Sequence, residues 1–222
     1  LVIANAGQPL TTSMKSHDKY HRKLFIPQLI NAVTALHNES IMHGDLKPHN
    51  VLIAFNEHYV STLKLCDFDS ARRVDSPGST GDFPSDRNGL KYTQFWAAPE
   101  VVFHHPSAPL RAALSIDLFA LGLLLDVLYR DTCNEFTTVL KEGEEGLLKD
   151  QAALFAMLHC KGHTHQRLIE QLCQVVPSKR GTIHTTMNLY AESQGTAIHG
   201  QNVALNANFE AEKEHNRFLR DE

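Results

Sequence analysis

The chain can be read outward from one polar segment, His43-Gly44-Asp45-Leu46-Lys47-Pro48-His49-Asn50. It follows an amphipathic run that ends near Ile41 and precedes the apolar run Val51-Leu52-Ile53, which predicts a loop between a helix and a strand. A loop held at both ends can present polar side chains on a rigid scaffold. Asp45 supplies a proton acceptor, Lys47 a fixed positive charge and Asn50 a metal-binding oxygen, which is the combination that phosphoryl transfer needs.

These residues resemble the catalytic loop of protein kinases, whose pattern is His-Arg-Asp, four further residues and Asn. The resemblance implies that Asp45 is the catalytic base, that Lys47 steadies the transferred phosphoryl group and that Asn50 binds magnesium. Lys47 within Asp-Leu-Lys-Pro also resembles the serine/threonine-specific branch. Gly44 replaces the Arg that pairs with a phosphorylated activation loop in many kinases, so we do not expect switching by phosphorylation of that loop.

A second motif, Asp67-Phe68-Asp69, resembles the kinase Asp-Phe-Gly motif, which implies that Asp67 chelates magnesium at the nucleotide phosphates. Residues 51–55 and 62–68 are apolar runs around the polar residues 56–58, a pattern that predicts a β-hairpin bringing Asp67 and Asn50 to one end. The alternative is an exposed carboxylate at a strand end. Because Asp69 stands where kinases have Gly, and Asp adopts positive φ less readily, we expect a stiffer motif.

Residues 70–92 are polar and glycine-containing, which predicts a surface loop, and by resemblance they form the activation segment. The candidate phosphosites in it, each of which has solvated serine or threonine as its alternative, are Ser76, Ser79, Thr80 and Ser85. Thr93 falls where serine/threonine kinases place the Thr that bonds the catalytic Asp and Lys. Trp96 is expected to pack, and Glu100 ends a segment that resembles the Ala-Pro-Glu motif.

Four segments have helical patterns: residues 25–37, 115–128, 151–159 and 167–176. The second is apolar all round and therefore predicted to be buried, with Ser115 as its N-cap. By resemblance Asp117 holds the backbone of the His43 loop, and the alternative is a second capping carboxylate. The resemblance also implies a buried salt bridge between Glu100 and Arg180. Residues 159–165 hold three His and one Cys, which favours a surface loop over the alternative of a zinc site.

The resemblance covers residues 1–187. It implies that residues 1–10 end a small lobe and hinge, that residues 11–187 form the large lobe, and that residues 188–222 are a polar tail or linker. The expected ATP contacts are Ile3, Ala4, Ala6 and Leu52. No two of the twelve glycines are separated by a single residue, so no G-x-G-x-x-G loop is present. We therefore expect a kinase large lobe that lacks its small lobe and is inactive alone.

Composition narrows the remaining choices. The 222 residues carry a net charge of -4, with 42% hydrophobic and 21% charged residues, which is typical of a soluble globular protein and disfavours nucleic acid as a partner. No apolar run approaches the roughly 20 residues that cross a bilayer, so no membrane partner is expected. The four cysteines are scattered, which favours an intracellular, cytoplasmic location.

The sequence thus predicts a mainly α fold with a small β-hairpin, a kinase-like large lobe of the α+β class. The predicted function is that of a serine/threonine protein kinase that uses ATP and Mg²⁺ and acts on a protein substrate. The alternative is a pseudokinase or truncated lobe that serves as a non-catalytic interaction module; Asp69 and the missing small lobe favour it, whereas the intact set of Asp45, Asn50 and Asp67 disfavours it.

Overall fold

The computed structural model describes residues 7–13, 24–55, 61–74, 93, 96–103, 113–129 and 149–195. The predicted ATP contacts Ile3, Ala4 and Ala6 lie outside these residues, as do the candidate phosphosites between residues 76 and 85. No helix of the described part is long and apolar enough to span a bilayer.

The described elements are mostly helical, as predicted. In chain order they are β1 (Gln8–Pro9), α1 (Leu10–Ser13), α2 (Phe25–Asn38), β2 (Ile41–Met42), β3 (Val51–Phe55), β4 (Ser61–Leu65), β5 (Arg72–Arg73), α3 (Pro99–Val102), α4 (Leu114–Val127), α5 (Gln151–Met157) and α6 (Gln166–Leu172). A helix over residues 183–195, α7, follows. Single 3-10 turns lie at Pro48–Asn50 and Pro177–Lys179.

Two small antiparallel sheets frame the polar segment. β3 and β4 form the predicted hairpin, with Val51 opposite Leu65 and Ala54 opposite Thr62, and β1 pairs with the other edge of β3. β4 ends at Leu65, three residues before the predicted end, because Asp67 has a φ of 64° that cannot continue a strand. β5 pairs with β2, so the chain after Asp67 returns alongside the start of the polar segment.

Helix α4 is the centre of the hydrophobic core, as its continuous apolar sequence predicts. Every residue from Ile116 to Val127 is buried. The amphipathic face of α2 packs on one side of it. α6 packs on another side at Gly122, where an added Cβ would lie 2.7 Å from Cys173 Sγ. Only a residue without a side chain allows the two helices this approach.

The prediction of Ser115 as an N-cap is wrong. α4 begins at Leu114, and its N-cap is Ala113, whose extended backbone (φ -144°, ψ 135°) supplies the non-helical cap conformation without a side-chain hydrogen bond. Ser115 is therefore already inside the helix.

The predicted boundary after residue 187 falls within helix α7. Thr182 and Thr185 form reciprocal hydrogen bonds at its start, with Thr185 Oγ1 2.8 Å from Thr182 N and Thr182 Oγ1 3.3 Å from Thr185 N. Such a pair satisfies two amides that the helix leaves free. Further along, Leu189 and Tyr190 pack against the core. Residues 188–195 are therefore helical, and two of them contact the core.

Candidate active site

The polar segment is anchored through its backbone to a buried carboxylate of α4. Asp117 Oδ2 accepts a hydrogen bond from His43 N at 2.7 Å, and Oδ1 accepts one from Gly44 N at 2.9 Å. Both oxygens of the carboxylate are therefore engaged by consecutive amides, which fixes the entrance to the loop. The predicted role of Asp117 in holding this backbone is confirmed.

Asp45, Lys47 and Thr93 form one hydrogen-bonded cluster beside this anchor. Lys47 Nζ donates to Asp45 Oδ2 at 2.6 Å and to Thr93 Oγ1 at 2.7 Å. Asp45 Oδ1 accepts from Thr93 N at 3.2 Å and from Thr93 Oγ1 at 3.0 Å. The Asp45 and Lys47 side chains are 11% and 19% exposed, so the charged pair is partly buried but open to solvent on one side. A fixed carboxylate and a fixed cation thus face the same small volume.

Asn50 extends the cluster toward the hairpin. Its side-chain Nδ2 donates to the Asp45 carbonyl at 2.9 Å and to Asp45 Oδ2 at 3.3 Å, which fixes the orientation of the amide. The Asn50 carbonyl accepts from Cys66 N at 3.0 Å, so Asp67 is the residue immediately after the one bonded to Asn50. The predicted approach of Asn50 and Asp67 through the hairpin is confirmed. Asp67 is exposed, whereas Asn50 is buried.

The His43 ring connects the two motifs. Its Nε2 lies 3.1 Å from the Cys66 carbonyl, and because a carbonyl only accepts, Nε2 carries the proton and Nδ1 accepts from Asp45 N at 3.4 Å. The ring also packs against Phe68 with 5.0 Å between centroids. Burial, and secondarily the charge of Asp67, raises the pKa of the Cys66 thiol, which keeps it protonated at neutral pH.

Comparisons with known proteins agree with this geometry. The family model described as "Protein kinase domain" matches residues 4–190 of the chain. The chain belongs to the protein kinase domain family. The matched segment ends inside α7, which agrees with the packing of that helix on the core.

Similar curated proteins are named as kinases. Glycogen synthase kinase-3 homolog YGK3 of Saccharomyces cerevisiae is 32% identical over 129 residues, which cover 53% of this chain and 30% of that protein. Mitogen-activated protein kinase 2 of Pneumocystis carinii is 34% identical over 105 residues, covering 47% and 27%. Human serine/threonine-protein kinase DCLK3 is 34% identical over 105 residues, covering 47% and 14%. The matched part of the chain thus spans under a third of the length of these relatives.

In this kinase domain, Glu100 and Arg180 form the predicted salt bridge. Arg180 Nη1 lies 2.6 Å from Glu100 Oε1, and Nη2 lies 2.7 Å from Oε2, a bidentate geometry. The Arg180 side chain is 0% exposed and the Glu100 side chain 24% exposed, so the pair is buried on one side only. It ties the short helix α3, just after the Thr93 segment, to the chain between α6 and α7.

The structure explains the Gly44 departure from the kinase pattern. Gly44 has a φ of 82°, and a Cβ built there would lie 2.7 Å from the Ser70 carbonyl oxygen. A side chain at residue 44 would therefore be strained by its backbone conformation and would collide with backbone. Ser70 itself is buried. In this chain the polar segment and the segment after Asp67 pack directly, backbone to backbone.

Asp69, which stands where kinases have Gly, does not have a positive φ. The described non-glycine residues with positive φ are Ser40 (56°) and Asp67 (64°). Asp69 lies in a turn, where its carbonyl accepts from Arg72 Nη1 at 3.3 Å. The residue with positive φ in this motif is thus Asp67, which is predicted to bind metal, and not Asp69, which replaces Gly.

Residues 159–165 form a loop between α5 and α6, as predicted, and four of the seven, His159, Lys161, Gly162 and Thr164, are exposed. Cys160 and His165 are buried, His163 stacks on Tyr129, and His165 is hydrogen-bonded to Tyr129 Oη. Burial first, and the charge of Asp126 second, raises the pKa of the Cys160 thiol to about 12. The zinc alternative also receives no support, because the described residues contain no group of three or more His, Cys, Asp and Glu that could hold a metal.

The anchor of this loop is a second buried carboxylate that sequence reasoning did not single out. Asp126 Oδ1 accepts from His159 N at 2.7 Å and from Cys160 N at 3.0 Å. Its only sequence signal is that Asp126 interrupts the apolar run of α4, as Asp117 does. Such a buried carboxylate must find donors, and here it binds two consecutive amides.

Proposed function

We propose that this chain is part of a serine/threonine protein kinase that transfers the γ-phosphoryl group of ATP to a hydroxyl of a protein substrate. The observation that carries the proposal is the cluster in which Asp45 bonds both Lys47 and Thr93. A carboxylate held in this way can orient an incoming hydroxyl and accept its proton, which is general-base catalysis. The adjacent ammonium of Lys47 can stabilise the charge that develops on the transferred group.

The oxygen ligands next to this cluster fit Mg²⁺. Hard cations of this kind prefer carboxylate and amide oxygens, and Asp67 and Asn50 supply one of each at the hairpin end. Asn50 Nδ2 donates a hydrogen bond to Asp45, which leaves the side-chain oxygen Oδ1 available to bind a cation. When bound, Mg²⁺ would neutralise charge on the nucleotide phosphates. Asn50 and Asp67 would hold the metal, and Asp45 would meet the substrate hydroxyl.

The nucleotide contacts belong to the same proposal. Leu52 lies half-buried in β3, opposite Pro9 of β1 and Lys64 of β4, and we propose that it contacts the base of ATP together with Ile3, Ala4 and Ala6. An apolar side chain in a small sheet is the kind of surface that an aromatic base covers.

The test compares phosphate incorporation by the full-length protein and by its Asp45→Asn variant, with labelled ATP, Mg²⁺ and a protein rich in Ser and Thr. We expect kcat to fall by about 100-fold or more, because loss of a general base typically costs that much. Glu39→Gln is the matched control, because Glu39 is an exposed carboxylate that precedes Asp45 by six residues and lies outside the cluster. It should leave incorporation unchanged.

Equal incorporation by wild type and Asp45→Asn would remove Asp45 from the chemistry. Absence of any Mg²⁺-dependent incorporation by the wild-type protein would favour a non-catalytic interaction module. Tyr-containing acceptors serve as the specificity control: incorporation into Tyr alone would contradict the serine/threonine assignment.

A further inference from the structure

A cavity of about 450 Å³ lies between the loop that precedes α6, helix α6 itself and helix α7. Its volume falls in the range of about 300–1,000 Å³ that is usual for small-molecule sites. The loop is held by Asp126, whereas the polar segment is held by Asp117, nine residues earlier and about 14 Å away along α4. The cavity is therefore separate from the proposed phosphoryl-transfer site.

The walls of this cavity are fixed by contacts within the protein. Asp126 accepts hydrogen bonds from two consecutive amides of the loop. The buried ring of His165 joins the loop to α7, because it stacks on Tyr190 with 5.5 Å between centroids and its Nε2 lies 3.1 Å from Gln194 Nε2. A preformed cavity binds a ligand at a lower entropic cost than one that must first be ordered.

The α6 side of the cavity supplies hydrogen-bond donors. Arg167 and Thr164 both line it, and both are exposed. Arg167 forms no ion pair with a carboxylate of the described residues, so its guanidinium offers a fork of N–H groups to a ligand. A carboxylate is the partner whose two oxygens match that fork.

The α7 side supplies acceptors instead. Glu192 and Ser193 line the cavity there. Ser193 Oγ donates its single proton to the Tyr190 carbonyl at 2.6 Å, so toward the cavity the hydroxyl can only accept. Leu168 and Leu189 complete the lining with apolar surface. An ammonium group, which only donates, matches the two acceptors of α7.

We propose that this cavity binds a zwitterionic ligand of about dipeptide size that carries an apolar side chain. Its carboxylate pairs with Arg167 and Thr164, its ammonium with Glu192 and Ser193, and its side chain covers the two leucines. A purely anionic ligand would be repelled by Glu192, and a purely cationic one by Arg167. A volume of about 450 Å³ equals that of roughly 15 water molecules, which is more than a single amino acid fills.

The experiment titrates the full-length protein calorimetrically with the dipeptide leucyl-leucine, with its N-acetyl derivative, which lacks the ammonium, and with its C-terminal amide, which lacks the carboxylate. We expect each derivative to bind about tenfold more weakly, because each loses charge-assisted hydrogen bonds. Arg167→Gln should weaken leucyl-leucine about tenfold and abolish the preference over the amide. Glu192→Gln should do the same for the N-acetyl derivative.

Two control variants remove the same charges outside the cavity. Lys179→Gln and Glu39→Gln replace exposed side chains that do not line it, and both should bind leucyl-leucine as wild type does. Amide NMR shifts on titration should be largest near Gly162 and Ser193. Saturating ATP and Mg²⁺ should change the dissociation constant by less than about twofold, because the nucleotide belongs to the other site.

Several results would overturn the zwitterion site. One is the absence of saturation by leucyl-leucine at about 10 mM. Another is equal affinity of wild type for the dipeptide and both derivatives, which would mean that only apolar surface is bound. Competition by ATP, or equal losses in Arg167→Gln and Lys179→Gln, would place the dipeptide elsewhere. None of these measurements needs phosphoryl transfer, so failure of the proposed function would leave them interpretable.

Discussion

Replacing Arg180 with leucine should test how strongly one ion pair holds the segment after Thr93 to the rest of the domain. All five N–H donors of a guanidinium are used here: two bind Glu100, and the others bind the carbonyls of Ser115, Gln174 and Val175 at 2.7 to 3.1 Å. The guanidinium carbon also lies 4.9 Å from the Phe119 ring centroid. Leucine keeps part of the packing and loses every one of these bonds.

The expected loss of unfolding free energy is about 3–5 kcal/mol, the usual cost of breaking a buried ion pair from one side. Three carbonyls of partly buried residues lose their donor, and the Glu100 carboxylate loses its counter-ion. Glu100→Gln should cost less, about 1–2 kcal/mol, because water reaches a carboxylate that is 24% exposed and because the amide oxygen still accepts from Arg180. The double variant should cost less than the sum by about 1–2 kcal/mol, since the two residues share the same interaction.

Urea unfolding followed by tryptophan fluorescence is a suitable assay. Trp96 is the only tryptophan in the chain, is 2% exposed, and lies four residues before Glu100. It therefore reports on the region that the ion pair holds. Circular dichroism at 222 nm in parallel separates local loosening from global unfolding.

Two results would refute this reasoning. One is a loss below about 1 kcal/mol for Arg180→Leu, which would mean that the buried guanidinium is replaced at little cost, as happens in some proteins. The other is additivity of Arg180→Leu and Glu100→Gln within about 0.5 kcal/mol, which would show that the two side chains act independently.

Two further predictions concern backbone strain and thiol ionisation. Gly44→Ala should lower the free energy of unfolding in urea by about 2–3 kcal/mol, and the control Gly162→Ala should lower it by about 1 kcal/mol. Both glycines have positive φ (82° and 74°), but only Gly44 lies against another part of the backbone. Equal costs for the two variants would contradict the contact with Ser70. The folded chain holds the Cys160 proton with a pKa of about 12 against an ordinary value of 9.0, so this thiol contributes stability that is present below pH 9 and lost as pH rises to 12. Urea midpoints should therefore fall between pH 9 and 11, and less steeply in Cys160→Ala than in wild type; equal slopes would contradict the burial of this thiol.

The elements that sequence predicted best are those with one dominant signal. The amphipathic period of residues 25–37 and the continuous apolar run after Ser115 located α2 and α4 within a residue or two at each end. The hairpin followed from two apolar runs around a polar turn, and its pairing brought Asp67 beside Asn50. In each case burial of an apolar face determines the structure, and the spacing of apolar residues along the sequence shows which face is buried.

The features that the sequence did not predict depend on contacts between distant parts of the chain. The sequence of residues 159–165 predicts the observed loop. It does not predict that Cys160 and His165 are buried within it, hydrogen-bonded to Asp126 of α4 and to Tyr129 just after α4. The positive φ at Asp67 likewise follows from the tertiary course of the chain between β4 and β5, whereas a motif comparison directs attention to the Gly position instead. Neither outcome has a local signal, because a polar residue is as compatible with a buried, satisfied environment as with solvent.

Helix α4 explains why two acidic residues interrupt an otherwise apolar sequence. An entirely apolar helix would be buried equally well, but it would offer no hydrogen-bond acceptors to fix the positions of the loops around it. Asp117 and Asp126 each bind two consecutive amides of a chain segment more than 30 residues away, one in the polar segment at residues 43–50 and one before α6. A buried carboxylate without donors costs several kcal/mol, roughly, so each Asp penalises every arrangement in which its loop is displaced. The same helix that fills the core therefore also fixes where Asp45 can lie.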